Sequence, residues 1–280
     1  MGRICVPVGI TLLLRTQVNP PMTGAPLQDV VSYLDTLLEV GTTPDYPQAV
    51  NGLQLSNAGE VTSIAAAVDF SSAAVEGAIA AGADLLLVHH GMFWGGLEPL
   101  TGHRYQRLNR LVTSGVAVYA AHLPLDRHAQ LGNAVLLAGE LGLQPSGEFA
   151  RFKAIYAGVR GAADIPTVRL FERAQRFAAV HGGAARISPV TEGHHTRSWA
   201  ICTGSGASAE TLIEAAELGV NTLIVGEGPH WTAVAAAESS TAIIYAGHYA
   251  TETLGVRALA AHLAQKFALS STFLPLPTGL

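Results

Sequence analysis

Val116-Ala-Val-Tyr-Ala-Ala-His122-Leu-Pro-Leu-Asp126 and Ala242-Ile-Ile-Tyr-Ala-Gly-His248-Tyr-Ala-Thr-Glu252 carry one pattern twice. Each opens as a β-rich apolar run and reaches a histidine followed four residues later by a carboxylate. If the chain turns helical after the strand, that spacing sets an imidazole and a carboxylate on one face. A third apolar run, Asp84-Leu-Leu-Leu-Val88, ends in His89-His90. Three strand ends therefore offer side chains of the kind that hold metal ions.

The repetition extends outward. Ile64-Ala-Ala-Ala-Val68, Ser71-Ser72, a helical stretch Ala73 to Ala81, the Asp84 run, His89-His90 and Trp94 describe one unit. Trp199-Ala-Ile-Cys202, Gly204-Ser-Gly206, a helical stretch Ala209 to Leu218, Asn221 to Val225, Gly226-Glu227 and Trp231 describe another. Val88 precedes Trp94 by the same interval that separates Val225 from Trp231. Alternating strands and helices predict an α/β fold of two related halves, an internal duplication. The expected division is a first half over 27–142, a connecting segment over 143–196 and a second half over 197–280. Within these, a helix is expected from Leu27 to Leu38, a strand over Ala154 to Gly158 and a helix from Pro166 to Val180.

Composition agrees. A chain of 280 residues that is 49% hydrophobic and 13% charged can bury a large core. Its net charge of −5 and its two lysines, Lys153 and Lys266, argue against a nucleic-acid-binding surface. Two cysteines, Cys5 and Cys202, are too few for a disulfide framework or a thiolate metal site, which points to a reducing cytoplasm. Arg3 and the apolar Cys5 to Leu14 resemble a weak signal-peptide core, but Arg15 and Asn19-Pro20-Pro21 give no small-residue cleavage site. The run is also too short to span a bilayer. Residues 1–26 are expected to be an extension, disordered or produced by a start upstream of Met22.

Each chemical signal has a plainer reading. His89-His90 would serve as one core and one surface histidine, because adjacent strand residues point to opposite faces. Gly91 lets the chain turn so that both could face one site. His122 with Asp126 would make an ordinary surface pair if it stood alone. Its recurrence at His248 and Glu252, again at a strand exit, favours a site, since open α/β sheets place their chemistry at the carboxyl ends of strands. The mixed imidazole and carboxylate set suits Zn, Fe, Mn, Ni or Co rather than calcium. It is too rich for one open ion and about right for two divalent ions about 3.5 to 4 Å apart, which could hold a bridging hydroxide for hydrolysis. A mononuclear site on the His122 and His248 motifs alone would leave His89-His90 unexplained.

Val88-His-His-Gly-Met-Phe-Trp94, His122-Leu-Pro-Leu-Asp126, Leu131-Gly-Asn133, Thr203-Gly-Ser-Gly206, Gly226-Glu227, Gly247 to Glu252 and Asn51-Gly-Leu-Gln54 resemble the Nif-three-like dinuclear metal-centre family, the GTP cyclohydrolase I type 2 homologues. The resemblance runs from Leu27 to the C-terminus. It implies two α/β domains facing a di-metal cleft, in the compact form without a full inserted domain, assembled as a toroidal homohexamer built from dimers. It also implies His89, His90, Asp126, His248 and Glu252 as metal ligands, with Glu252 bridging. His122 would be a proton-transfer group beside the cluster, with a direct ligand role left open. Apart from the resemblance, His230 and Glu227 sit at the second half's counterpart of the His89-His90 pair and are acid/base candidates for lining the cleft, with a structural cap as the alternative. Pro229-His230-Trp231 stands where many relatives have paired histidines, and Gly132-Asn133-Ala134 where many have a second asparagine, so the substrate-facing surroundings differ. The implied function is hydrolysis of a small nucleotide-like or phosphorylated substrate. The alternative is a non-catalytic metal-binding scaffold or regulatory protein. Gly204-Ser-Gly206 before a helix is a weak phosphate-binding signal. Trp94 and Trp231 read as packing residues rather than stacking platforms.

Overall fold

The computed structural model describes residues 24–280. The expected extension over 1–26 therefore lies, up to residue 23, outside the described residues. The chain then runs through β1 (Ala25–Pro26), α1 (Leu27–Leu37), β2 (Gly52–Leu55) and β3 (Glu60–Val61). A first alternation follows: β4 (Ser63–Asp69), α2 (Ser72–Ala80), β5 (Leu85–His90), α3 (Gly102–Ser114) and β6 (Ala117–Ala120). Next come the single turn α4 (Leu123–Asp126), α5 (Asn133–Glu140), the hairpin β7 (Gly147–Phe152) and β8 (Ile155–Pro166), α6 (Thr167–Val180) and β9 (Arg186–Ile187). The second alternation is β10 (His195–Cys202), α7 (Ala209–Glu217), β11 (Thr222–Val225), α8 (His230–Glu238) and β12 (Ala242–Tyr245). The chain closes with α9 (His248–Phe267) and β13 (Ser270–Phe273).

Both alternations form the same topology. β4, β5 and β6 run parallel with Ile64, Leu85 and Ala117 in one register row. β10, β11 and β12 run parallel with Trp199, Thr222 and Ala242 in the equivalent row. These strands are buried on both faces, which is why they read as unbroken apolar runs rather than alternating ones. Two segments depart from the expected division. Residues 143–196, expected as a connector, supply β7, β8 and β9 to the six-stranded sheet, ordered β7-β8-β10-β11-β12-β9. The tail crosses back, so that β13 becomes the edge of the five-stranded sheet, ordered β13-β4-β5-β6-β2. The strand expected over Ala154 to Gly158 is the start of β8 and the helix expected from Pro166 to Val180 is α6, but the Gly- and Arg-interrupted remainder of β8 and the Ser-Ser-Thr-Phe of β13 become strands through the partners they meet rather than through their own pattern.

The layering places α9 between the sheets. Val256, Leu259 and Leu263 of α9 join α1 and the inner face of the five-stranded sheet. Ala250 joins α5, α6 and the inner face of the six-stranded sheet. On the outer faces α2 and α3 cover the first sheet, and α7 and α8 cover the second. The N-terminus of α9, with His248 and Glu252, is thereby brought to the carboxyl ends of strands from both sheets. Among the described residues no helix is long and apolar enough to cross a membrane.

Candidate metal centre

The strand ends deliver the histidines. β5 ends in His89 and His90, β6 delivers His122 as the residue before α4, and β12 delivers His248 as the first residue of α9. The expected helical turn after each strand is present: Asp126 closes α4 and Glu252 lies one turn into α9. Gly91 makes the turn after β5 possible. A Cβ there would fall on the Gln54 amide, whose Oε1 accepts from Met92 N at 2.6 Å and so anchors the loop beyond His90.

Every histidine of the cluster has its Nδ1 occupied from outside. His89 donates to the carbonyl of Ala121 at 2.8 Å, and His90 to Asp69 at 2.8 Å. His122 donates to Asp45 at 2.9 Å, and His248 to Glu227 at 2.8 Å. With Nδ1 as the donor, Nε2 is left as the lone-pair nitrogen and faces the other members of the cluster. His89 Nε2 lies 3.5 Å from Asp126 Oδ2 and 3.7 Å from Glu252 Oε1. His90 Nε2 and His248 Nε2 lie 3.5 and 3.0 Å from Glu252 Oε2. The ligand-type atoms of His89, His90 and His122 fall within 4.8 Å of one another, as do those of His90, His248 and Glu252. Glu252 is thus the carboxylate shared between the two sides. Asp126 is aimed by Asn133, which donates to Asp126 Oδ1 at 2.8 Å and accepts from Gly255 N of α9 at 2.7 Å.

The cluster is buried and electrostatically tense. Burial works against a charged ring at His89, but the carboxylates of Asp126 and Glu252 outweigh it and lift its pKa to about 10. His248 is lifted to about 9 against burial by Glu252 and Glu227. Burial works to raise Glu252, yet His89 and His90 hold its carboxyl well below the usual range. Asp126 is raised by burial, with His89 and His122 pulling the other way. Cys202, lining the same cavity, is pushed up to about 12 by burial and then by Asp126 and Glu252, so its thiol stays protonated. Despite this charge, His89 Nε2 and Glu252 Oε2 are buried with no hydrogen-bond partner. Buried polar atoms are rarely left so, and one on each side of the cluster, His89 Nε2 among the first three histidines and Glu252 Oε2 beside His90 and His248, marks a place for cations. The donor set fits a transition-metal ion: imidazole nitrogens, carboxylate oxygens and outer partners that fix each ring.

Two of these outer partners lie outside the residues that the sequence marks as a site. Asp69 sits at the end of β4, one position past the apolar run, where a carboxylate beside a metal-binding strand end was legible as a strand-exit signal. Asp45 lies in a Pro-flanked loop with no periodicity, and only the folded chain brings it to His122. Its oxygens also accept from Leu123 N at 2.9 Å and Asn51 Nδ2 at 2.8 Å, while Asn51 Oδ1 accepts from His122 N at 2.7 Å. The Asn51 motif thus holds the His122 turn. Against burial, the His122 hydrogen bond keeps the Asp45 carboxyl below its ordinary pKa. Asp45→Ala is expected to leave every candidate ligand in place yet weaken metal binding about 10- to 100-fold, as loss of such outer partners does. Competition with a fluorescent chelator reads the change, and unaltered affinity would remove Asp45 from the site. His230, by contrast, opens α8 on the exposed surface and is absent from the residues that line the cavity.

The family model described as Duf34/NIF3 (NGG1p interacting factor 3) matches residues 25–276. The Deinococcus radiodurans protein named GTP cyclohydrolase 1 type 2 homolog is 38% identical over 259 residues, covering 90% of this chain and 94% of its own. A Halobacterium salinarum protein of the same name is 40% identical over 256 residues, covering 91% and 99%. Among solved structures, protein ybgI, of unknown function, superposes with a TM-score of 0.82 at 31% identity, covering 91% of this chain and all of that one. TTHA1606 from Thermus thermophilus gives 0.77 at 32% identity, again over 91% and 100%. Sequence, fold and the matched span agree that this chain belongs to the Duf34/NIF3 family.

Proposed function

We propose that the protein is a dinuclear metal-binding hydrolase acting on a small nucleotide-like or phosphorylated substrate. The observation that carries this is the pair of buried, unpartnered atoms, His89 Nε2 and Glu252 Oε2, at the centre of six convergent donor side chains. His89, His90, Asp126, His248 and Glu252 would hold the ions, with Glu252 between them. His122 joins them as a ligand rather than a free proton carrier, since its Nδ1 is committed to Asp45 and its ring lies 4.9 Å from that of His89. Divalent ions held there would supply Lewis acidity toward a substrate oxygen and toward water. The chain's own residues would position that substrate: the cluster opens into a cavity of about 660 Å³ lined from both sheets, large enough for a small molecule. Exposed Leu97, Leu100, Trp231 and Val234 support self-association, which for this family we take to be the homohexamer. The cytoplasm, as the compartment, rests on the low cysteine count.

Elemental analysis of protein purified without chelator is expected to find about two ions per chain, as in other two-metal sites. The relatives' shared name makes GTP the first substrate to assay, followed by other nucleotides and phosphoesters. Turnover that chelator abolishes and added metal restores would support the hydrolase. Two tightly held ions without turnover on any of these substrates would favour the scaffold instead. Less than one ion per chain would overturn both readings.

A further inference from the structure

The cavity is graded in character from its floor to its mouth. The floor is the histidine and carboxylate cluster. Next to it the Tyr46 ring lies 6.1 Å from that of His122, and the Phe152 ring lies 4.9 Å from that of Tyr46. At the rim Lys153 Nζ stands 5.0 Å from the centre of the Phe152 ring. Arg151 shares that rim, its Nε donating to Lys153 O at 3.3 Å. Metal ligands, aromatic faces and cations thus follow one another along a single wall.

Three features set this wall apart from ordinary surface. Arg151 and Lys153 form no ion pair among the described residues, although the chain has more acids than bases and Lys153 is one of its two lysines. The hairpin that presents them carries two non-glycine residues in the left-handed region, Ala150 within β7 at φ 58° and Lys153 at the tip at φ 53°. Such conformations cost of order 1 kcal/mol or more each and collect at ligand-binding sites. The tip also reaches across from the six-stranded sheet: Lys153 Nζ donates to the carbonyl of Asp45, the residue that holds His122. Across the cavity Trp94 covers His122 and His90, its ring 4.5 and 4.6 Å from theirs, so the aromatic zone abuts the cluster directly. One carboxylate of this cavity outside the cluster, Glu210, stands on the Arg151 side together with Glu214, whose Oε2 accepts from Arg151 N at 2.9 Å, and works against a purely anionic ligand.

We propose that the cavity takes a planar heteroaromatic ring bearing a phosphate, the ring lying against Tyr46 and Phe152 and the phosphate meeting Arg151 and Lys153. This rests on the cavity being a substrate site and deepens that reading by assigning the residues that would select the ring and those that would select the phosphate. A ring of that size fills the apolar middle, where stacking on aromatic side chains is favourable, and an anion at the rim meets cations that have only neutral partners, the carbonyls of Asp45 and Lys153 and the Phe152 ring. Orientation follows, because the part of the ligand remote from its phosphate is directed toward His90, His122 and Glu252.

Isothermal titration of the full, metal-containing chain with AMP, GMP, CMP and UMP tests this, beside each nucleoside and ribose 5-phosphate. At least one nucleotide is expected to bind, with its nucleoside and ribose 5-phosphate each about tenfold weaker or more. Phe152→Ala is expected to weaken nucleotide and nucleoside alike by about tenfold. Arg151→Ala with Lys153→Ala is expected to weaken only the nucleotide, by about tenfold, and Lys153→Arg to restore it in part. Metal content, measured on each variant, should be unchanged. Binding of none of the four nucleotides, ribose 5-phosphate binding as tightly as the nucleotide, or variants indistinguishable from the parent would each overturn the inference. Nucleotide binding without turnover would defeat the hydrolase while leaving this assignment standing. Hydrolysis of a ringless phosphoester with no nucleotide bound would do the reverse.

Discussion

Glu252→Gln, purified without chelator, is expected to emerge nearly free of metal while keeping its fold. One carboxylate serves both sides of the cluster: Oε1 faces His89, and Oε2 faces His90 and His248. An amide offers a single neutral oxygen, and its NH₂ turns a donor toward the place where a cation would sit. The change therefore removes charge from both positions at once, whereas His89→Ala removes one nitrogen from one of them. The size of the side chain is preserved, so loss of metal with an unaltered circular dichroism spectrum would assign the effect to coordination. Glu252 lies at 3% exposure on the helix between the sheets, which makes that control necessary. Full metal retention in Glu252→Gln would end the shared-carboxylate role.

Gly204→Ala is expected to have nearly as large an effect without touching any ligand. Gly204 sits at φ 59°, and its Cβ would coincide with Glu252 Oε1 and stand 3.4 Å from His248 Nε2. Its N–H donates to Thr251 Oγ1 at 3.1 Å, so the loop and α9 are held together and neither can simply withdraw. A non-glycine residue in that conformation costs about 1–2 kcal/mol before any displacement is counted. Glu252 is packed among three histidines and otherwise faces only the cavity, so the added methyl group must push the carboxylate off the cluster. Both metal content and thermal midpoint should fall. The Gly-Ser-Gly turn would then owe its glycine to close approach at the metal centre rather than to a phosphate cradle, the use its spacing first suggests. A variant with wild-type metal content and an unchanged midpoint would contradict this reading.

The outer partners behave unlike the cluster itself in how visible they are. The His-x-x-x-Asp and His-x-x-x-Glu pairs are legible because helix periodicity turns a four-residue interval into one face, and α4 and α9 begin where that interval requires. His89-His90 is legible because an unbroken apolar run must be a buried strand and must end somewhere near them. Asp45, by contrast, meets His122 from far along the chain, within a loop whose course depends on Asn51 and on the hairpin tip beyond it. His230 is placed differently. It occupies the second unit's equivalent of a loop that bears on the site in the first, yet the chain there enters α8 and presents it outward.

The repeated strand, helix and strand units, and the residue types gathered at their carboxyl ends, are written in the local sequence. Those follow from local periodicity and from the burial that parallel strands demand. Long-range packing sets the rest: the polar tail strand β13 returns to the first sheet, residues 143–196 complete the second, and α9 lies between them with Glu252 facing histidines of the first sheet. Each of these rests on contacts between residues distant in sequence, where the partner rather than the segment's own pattern selects the conformation. The cluster itself is such a contact, since no local interval brings His89, His122 and His248 to one point.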